Sequence, residues 1–282
     1  MAAKLYIVAT PIGNLGDITL RAIEVLKSVS QVAVEDTRQS RKLWNKYGIT
    51  TSMQILNKDN EHVVVEKLIY TLEQGNDIAL ISDAGTPLIH DPGSLLVRAA
   101  RQQGVDVVPI PGACALIAAL CVSGLDASNF TYCGFLHAKQ SVRMTELDAV
   151  KDEERTLVFY EAPHRLLKTL HSMADVFGGE RIVVLAREIT KIHEEVVSCS
   201  LSDLVLKIDS GDIICKGEMV VLVQGASKKL LSNDTCIDLD LFLKKSLKYL
   251  SVKDSVKLAG DIFDLSSNII YKKALEIKES GD

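Results

Sequence analysis

Short apolar runs alternate with stretches of helical spacing along the first half of the chain. Residues 5–9, 32–34, 53–56, 78–81 and 105–110 read as strands. Between them, 18–28, 38–47, 61–72 and 94–103 have helical spacing, with apolar residues at 22, 23, 25, 26 and 29 in the first and at 64, 65, 68, 69 and 72 in the third. The small-residue segment 113–122 makes a fifth helix. Such alternation predicts a parallel α/β sheet. In the second half, 130–135, 156–160, 181–186, 196–199 and 219–224 read as strands, with helices ending near 177 and over 201–208. Crossovers are fewer there, so a mixed sheet is expected. Pro163 suits the first turn of the helix that ends near 177. The expected division is 1–125, a parallel α/β domain; 126–225, a second α/β domain; and 226–282, a helical tail.

The stretch 78–115 organises the first half. Its strand 78–81 stops at Ser82-Asp83-Ala84-Gly85, and Thr86-Pro87 follow at once; the next strand ends in Pro111-Gly112. Two consecutive strands therefore end in Gly/Pro turns. Ligands of open α/β sheets bind at the carboxyl ends of strands, and small residues let the backbone come close to them. Asp83 is an acceptor on that rim. A third strand ends in Glu35-Asp36-Thr37-Arg38. Asp36 or Thr37 can cap the following helix, and Arg41, Lys42 and Lys46 on it face either phosphate or solvent.

Composition narrows the function. Of 282 residues, 47% are hydrophobic and 24% charged, and the net charge is -5, so no global basic field draws nucleic acid and any such contact needs a local patch. Six cysteines without a C-x-x-C pair indicate buried reduced thiols rather than a disulfide frame or a zinc site. The first apolar run is too short for a signal peptide. Residues 107–125 carry no charge, but Pro109, Pro111 and Gly112 divide them into a strand and a helix and exclude a membrane span. A cytoplasmic protein is expected. From 226 on the chain holds ten Lys, no Arg and nine acids. There, 255–263, a turn at Asp264-Leu265 and 266–278 with Ser266 as N-cap predict a helix-turn-helix-like tail. It either packs on the body or turns Tyr271, Lys272 and Lys273 toward nucleic acid.

No G-x-S-x-G elbow, P-loop or metal spacing occurs, and His164, His171 and His193 are scattered. Group transfer from a bound, activated cofactor fits a small-residue cleft, because alignment alone supplies about 7–11 kcal/mol. An acceptor hydroxyl still needs a proton acceptor. Glu35, Asp36, Glu161 and Glu188 are candidates by position, and residue type does not choose among them.

The segments ATPIGNLGDIT, AVEDTR, ISDAGTPLIHDPG, PIPGACA, FYEAPHR, LAREITKIHEE and KGEMVVLV resemble, in the same order, the bacterial ribosomal small subunit RNA methyltransferase I family of the tetrapyrrole methylase superfamily. The resemblance spans residues 4 to 225, and the lysine-rich tail is similar to that family's last domain. It implies two α/β domains with S-adenosyl-L-methionine in the cleft between them, plus a small helical domain. The implied reaction is methyl transfer to the ribose 2′-hydroxyl of a cytidine in the decoding region of 16S rRNA, by a homodimer. The resemblance brings Pro11, Ser82, Asp83, Ala84, Gly85, Leu88, Ile89, Cys114, Tyr160, Ala186 and Gly217 to the cofactor. It brings Glu35, Asp36 and Glu188 to the reacting hydroxyl, and Arg38 and Arg187 to RNA; the helix-turn-helix reading of the tail adds Lys272 and Lys273 as RNA contacts. No metal is implied. Two positions depart from the pattern: Ala9 stands where the family usually has the first proline of Pro-Thr-Pro, and His137 stands at the proline of its Gly-Phe-Leu-Pro. Two other readings remain. A methyltransferase acting on a tetrapyrrole or another non-RNA substrate would use the same cleft without needing the EDTR and HEE clusters or the tail. A non-catalytic RNA-binding protein would have no affinity for the cofactor.

Overall fold

The computed structural model describes residues 3–227, 239–263 and 266–279. Met1–Gly225 forms one compact unit and Ala226–Asp282 a second. The first unit begins with β1 (Lys4–Val8), α1 (Leu20–Ser28), β2 (Gln31–Val34), α2 (Thr37–Tyr47), β3 (Ser52–Ile55), α3 (Glu61–Glu73), β4 (Ile78–Leu80), α4 (Ser94–Gln102), β5 (Asp106–Ile110) and α5 (Ala115–Ser123). All five strands pair in parallel, in the order β3-β2-β4-β1-β5. The chain leaves β1 toward one edge and leaves β4 toward the other, so the β4–β1 junction is where the winding reverses and where a crevice opens.

Both faces of this sheet are covered, which explains its near-continuous apolar strands. Val32 and Val34 pack with Leu26 and Trp44 on one face. Ala33, between them, meets Leu68, Leu72 and Leu96 on the other. Local chemistry sets the helix ends. Thr19 caps α1 by accepting from the Ala22 amide at 3.1 Å, and Gly48, at φ 60°, ends α2 in the left-handed region that glycine tolerates.

The rest of the unit comprises β6 (Phe130–Phe135), α6 (Gln140–Asp148), β7 (Thr156–Glu161), α7 (Leu166–Phe177), β8 (Ile182–Arg187), β9 (Glu195–Ser200), α8 (Leu201–Asp209) and β10 (Met219–Val223). The order is β6-β7-β10-β8-β9. Only β6 and β7 run parallel, so the sheet is mixed, as expected. Helices α6, α7 and α8 cover one face through Leu147, Leu166, Leu170, Leu201 and Leu204. The other face is covered by α5, whose Leu116, Ala119 and Leu120 meet Val158, Val184, Val220 and Leu222. Helix α5 thus follows the first sheet in sequence and packs on the second.

Three local expectations are corrected. Pro163 lies in the turn before α7, which starts only at Leu166. The polar segment 136–155, for which no helix was expected, contains α6, and Arg143 on that helix is buried. Its Nε donates to the Ser172 hydroxyl at 3.0 Å and its Nη1 to the Ala138 carbonyl at 3.0 Å. The thiols are free as expected but not buried: Cys121 is exposed and Cys114, Cys133, Cys199 and Cys215 are intermediate, while Cys236 lies outside the described residues. His137 donates its amide to Glu146 at 2.9 Å and accepts from the Lys139 amide at 3.0 Å.

The second unit contains α9 (Leu239–Ser246), α10 (Val252–Phe263) and α11 (Ser267–Glu279). They close on Leu243, Val256, Ala259, Ile270 and Ala274. Helix α9 was not foreseen. The expected turn at Asp264-Leu265 lies outside the described residues. No helix among the described residues is long and apolar enough to cross a membrane.

Glu161, at the end of β7, is buried and fully engaged. It accepts from the Ala162 amide at 2.7 Å, from Arg165 Nη2 at 2.7 Å and from the Thr169 hydroxyl at 2.5 Å. Removing one side of a buried pair strands the other. Glu161→Leu is expected to lose about 3–5 kcal/mol in urea unfolding, and Thr169→Val only about 1 kcal/mol. Equal, small losses would show that the carboxylate is not the lock of this turn.

Candidate active site

The loops that follow β1, β4 and β5 are tied to one another. Thr10 and Gly85 exchange backbone hydrogen bonds of 2.8 and 3.0 Å. The Thr10 hydroxyl donates to the Ser82 carbonyl at 3.3 Å, and the Thr86 hydroxyl to the Ala113 carbonyl at 3.0 Å. Gly85 has φ 81°, and a side chain there would press on Ile12. The loop after β2 joins them through Asp83, whose carboxylate accepts from the Asp36 amide at 3.0 Å.

The opposite wall comes from the second sheet. Tyr160 accepts from the Leu116 amide at 3.3 Å. His90 crosses to this wall: its Nδ1 lies 2.9 Å from the Tyr132 hydroxyl, and its ring meets Tyr132, Phe135 and Tyr160 edge-on. Gly134 makes room for that ring, since a Cβ there would collide with it. Leu88, His90, Glu188 and Thr190 all have positive φ, at 75°, 70°, 51° and 68°. Left-handed backbone is costly for residues other than glycine and gathers at functional sites.

Between the walls lies a cavity of about 410 Å³, within the ~300–1,000 Å³ of small-molecule sites. Of the residues expected at the cofactor, Ala84, Gly85, Ile89, Cys114, Tyr160, Ala186 and Gly217 line it. Pro11, Ser82 and Asp83 instead line an adjoining recess, which shares Ile12, Ala84 and Glu218 with the first. Leu88 lines neither: it packs toward the core between the first sheet and α3–α4. His90, Asp91, Phe135 and Glu218 also line the first cavity. They were not singled out, although His90 and Asp91 lie within ISDAGTPLIHDPG.

The carboxylates divide into two groups. Burial pushes the Glu35 carboxyl up, and the charges of Asp83 and Asp91 add to it, against a smaller pull from Lys58. Burial likewise raises Asp83 and Asp91. Asp36 is held low by its hydrogen bonds with Arg38, whose Nη2 sits 2.7 Å from it. Burial alone would raise Glu188, but its bond with Lys191 and the Glu218 amide outweigh that and hold it low. Both contacts measure 2.8 Å. A side chain at Gly217 would strike the Glu188 carboxylate. Burial raises the Tyr132 hydroxyl to about 12. Glu161 is committed to Arg165 and Thr169, as described above.

The expected RNA contacts fare unequally. Arg38 is highly exposed, its side chain 86% accessible. Arg187 is not free for phosphate: β8 and β9 set Glu195 opposite it, and the pair meets at 2.9 Å with the arginine side chain only 12% accessible. In the second unit Lys272 is exposed, whereas Lys273 pairs with Asp240 at 2.9 Å. Among the described residues no three His, Cys, Asp or Glu side chains could hold a metal ion.

Residues 4–205 match the family model described as tetrapyrrole (corrin/porphyrin) methylases. The chain is 47% identical to the ribosomal RNA small subunit methyltransferase I of Pseudomonas aeruginosa over 98% of both chains. The protein of the same name from Vibrio cholerae is 46% identical over 98% of this chain and 95% of that one. The chain belongs to the tetrapyrrole methylases and, among them, to the ribosomal RNA small subunit methyltransferase I family. It is therefore a methyltransferase. Solved structures agree in fold. A diphthine synthase superposes with a TM-score of 0.62 at 16% identity, covering 79% of this chain and 90% of the other. A cobalt-precorrin-4 methyltransferase gives 0.59 at 17% identity, covering 78% and 94%.

The raised carboxyl at Glu35 has a stability signature in pH. A folded pKa above the unfolded one means that stability is greatest while the group is protonated and falls as pH rises through the folded value. Glu35→Gln removes that loss. The variant is expected to be more stable than the parent at pH 7, with the difference closing as pH drops toward the ordinary value of 4.5. Thermal unfolding across pH measures this; a variant less stable at pH 7 and equal to the parent in acid would reverse the sign.

Proposed function

We propose that this methyltransferase uses S-adenosyl-L-methionine to methylate the ribose 2′-hydroxyl of a cytidine in small-subunit ribosomal RNA. The near full-length identity to relatives named for that RNA carries the substrate. The choice of the 2′-oxygen follows the family resemblance. The lining of the first cavity supports the cofactor. Ala84, Gly85, Ala115 and Ala186 leave room for a flat base, Phe135 and Tyr160 offer aromatic edges, and Asp91 and Glu218 offer carboxylates to cationic groups. Pro11, Ser82 and Asp83 back this lining from the recess side. When bound, S-adenosyl-L-methionine supplies an electrophilic methyl carbon whose bond to sulfur breaks with its electron pair going to sulfur.

Glu35 fits the task of taking the hydroxyl proton as the new O–C bond forms. It is half-buried, next to Asp83, and its pKa is raised toward working pH, which suits a general base. Asp36 and Glu188 are held low by their cationic partners and fit positioning better: Asp36 caps α2, and Glu188 fixes Lys191 and Glu218. Arg38 and, in the second unit, Lys272 are the exposed cations suited to phosphate. The reading includes a cytoplasmic homodimer. Exposed Ile117, Val122 and Ile192 are apolar surface that a second copy could cover, and sedimentation would measure it.

Mass spectrometry of nuclease-digested small-subunit rRNA tests the reaction; absence of a 2′-O-methyl nucleoside would sink it. Glu35→Gln is expected to lower kcat by roughly 10²–10⁴-fold while calorimetry finds cofactor affinity retained, and unchanged turnover would remove Glu35 as the base. Lys272→Ala is expected to weaken rRNA binding and to leave cofactor binding alone; unaltered RNA affinity would free the tail of an RNA role.

A further inference from the structure

The adjoining recess, also about 410 Å³, differs in chemistry from the first cavity. Its walls include Thr10, Gln39, Ser40, Lys42, Asp83 and Lys191. It meets the first cavity at Ile12, Ala84 and Glu218, so a group against those residues lies beside whatever the first cavity holds. We infer that this recess receives the acceptor nucleotide itself, unstacked from its neighbours, with Lys42 on its phosphate and Gln39 on the edge of its base. The inference rests on the RNA-methylation reading above and names the residues that select and seat the substrate.

Charge accounting singles out Lys42. Lys191 is neutralised, at 2.8 Å from Glu188 and 3.1 Å from Glu218. Lys42 makes its described hydrogen bond to a neutral group, the Gln39 amide oxygen, at 2.9 Å. Its positive charge is therefore uncompensated by any carboxylate in the described ion pairs, on the rim of a polar recess. Phosphate is the complement of such a charge. Transfer of Lys42 to phosphate releases the Gln39 amide, which then offers both a donor and an acceptor to a base edge. The setting supplies the second argument. Thr10, Ser82, Asp83 and Ala84, from the loops that the Thr10–Gly85 bridge ties together, wall the recess, whereas a stacked helix presents its ribose oxygens on a wide, shallow groove. A ribose enters such a recess once its nucleotide leaves the stack, as in enzymes that extrude their target base. Asp83 on the recess wall then faces the sugar, with Glu35 as its electrostatic neighbour. The hydroxyl proton goes to a carboxylate as the oxygen gains the methyl carbon.

The full-length protein tests this with small-subunit rRNA, both naked and in assembled subunits. Lys42→Ala is expected to make the slope of log affinity against log salt shallower by about 1 and to raise KM for RNA with kcat little changed. Lys42→Arg should restore both. Gln39→Ala is expected to raise KM roughly tenfold without moving the salt slope, and calorimetry should find S-adenosylmethionine affinity the same in all three variants. A 2-aminopurine placed next to the acceptor should brighten on binding to the parent protein. An unmoved salt slope in Lys42→Ala, a cofactor affinity lost along with RNA affinity, or a probe that stays quenched would each overturn the assignment. A parent protein that methylates no RNA at all overturns the underlying reading instead, so the two failures are separable.

Discussion

The reciprocal backbone bonds between Thr10 and Gly85 set the geometry of the active site. They join the loops after β1 and β4, the two strands that meet where the sheet's winding reverses. A parallel sheet aims all its carboxyl ends one way, so the residues after its strands necessarily gather on one rim. The bridge turns that gathering into a fixed wall. With Gly85 held at φ 81° against Ile12, the small residues Ala84 and Gly85 form part of the cavity lining. Asp83 reaches across to the Asp36 amide and brings the loop after β2 into the same rigid set.

Electrostatics follows from that set. Glu35, Asp83 and Asp91 arrive on neighbouring loops, where Lys58, Arg38 and His90 offset their charge only in part. Burial raises all three, and the charge of a neighbouring carboxylate adds to it at each. Asp36 and Glu188, a few residues from this group in sequence or across the cleft, each have a cation within hydrogen-bonding distance and move the other way. Five carboxylates of similar intrinsic strength are thereby sorted into proton acceptors and anchors by burial on one side and cationic partners on the other.

Periodicity was enough to read both sheets, because buried parallel strands and amphipathic helices leave unambiguous patterns: β6 and the mixed pairing of the second sheet stood in the sequence as they stand in the fold. The loops at the strand ends were legible through their glycines and prolines. What escaped was tertiary. Arg143 lies in a polar segment, where a charged residue is usually solvated, yet four backbone and side-chain oxygens within the fold accept from it. Arg187 looked free because its partner Glu195 follows eight residues later on a strand whose pairing register the sequence does not state. Helix α5 looked like the last helix of the first sheet, since nothing in its uniformly apolar composition marks which sheet it will cover. Leu88 has a positive φ and its side chain packs against the core, neither of which its family position states.

The two loops that face each other across the cavity share an unusual backbone. Leu88 and His90 on one, and Glu188 and Thr190 on the other, occupy left-handed conformations, each of order 1–3 kcal/mol unfavourable. The surroundings over-determine His90, Glu188 and Thr190. His90 is clamped by Tyr132 and by the space above Gly134. Glu188 is fixed by Lys191 and the Glu218 amide, and Thr190 accepts from the Asn14 amide at 3.1 Å while donating its own to Glu194 at 2.6 Å. Each clamp joins the first sheet's loops to the second sheet or braces the loop that does so. The strain is therefore borne where the two sheets meet, and it serves to hold a floor of small residues against a wall of aromatic ones. A cleft assembled from two separately wound sheets gains by this means the fixed spacing that a group transfer relying on alignment requires.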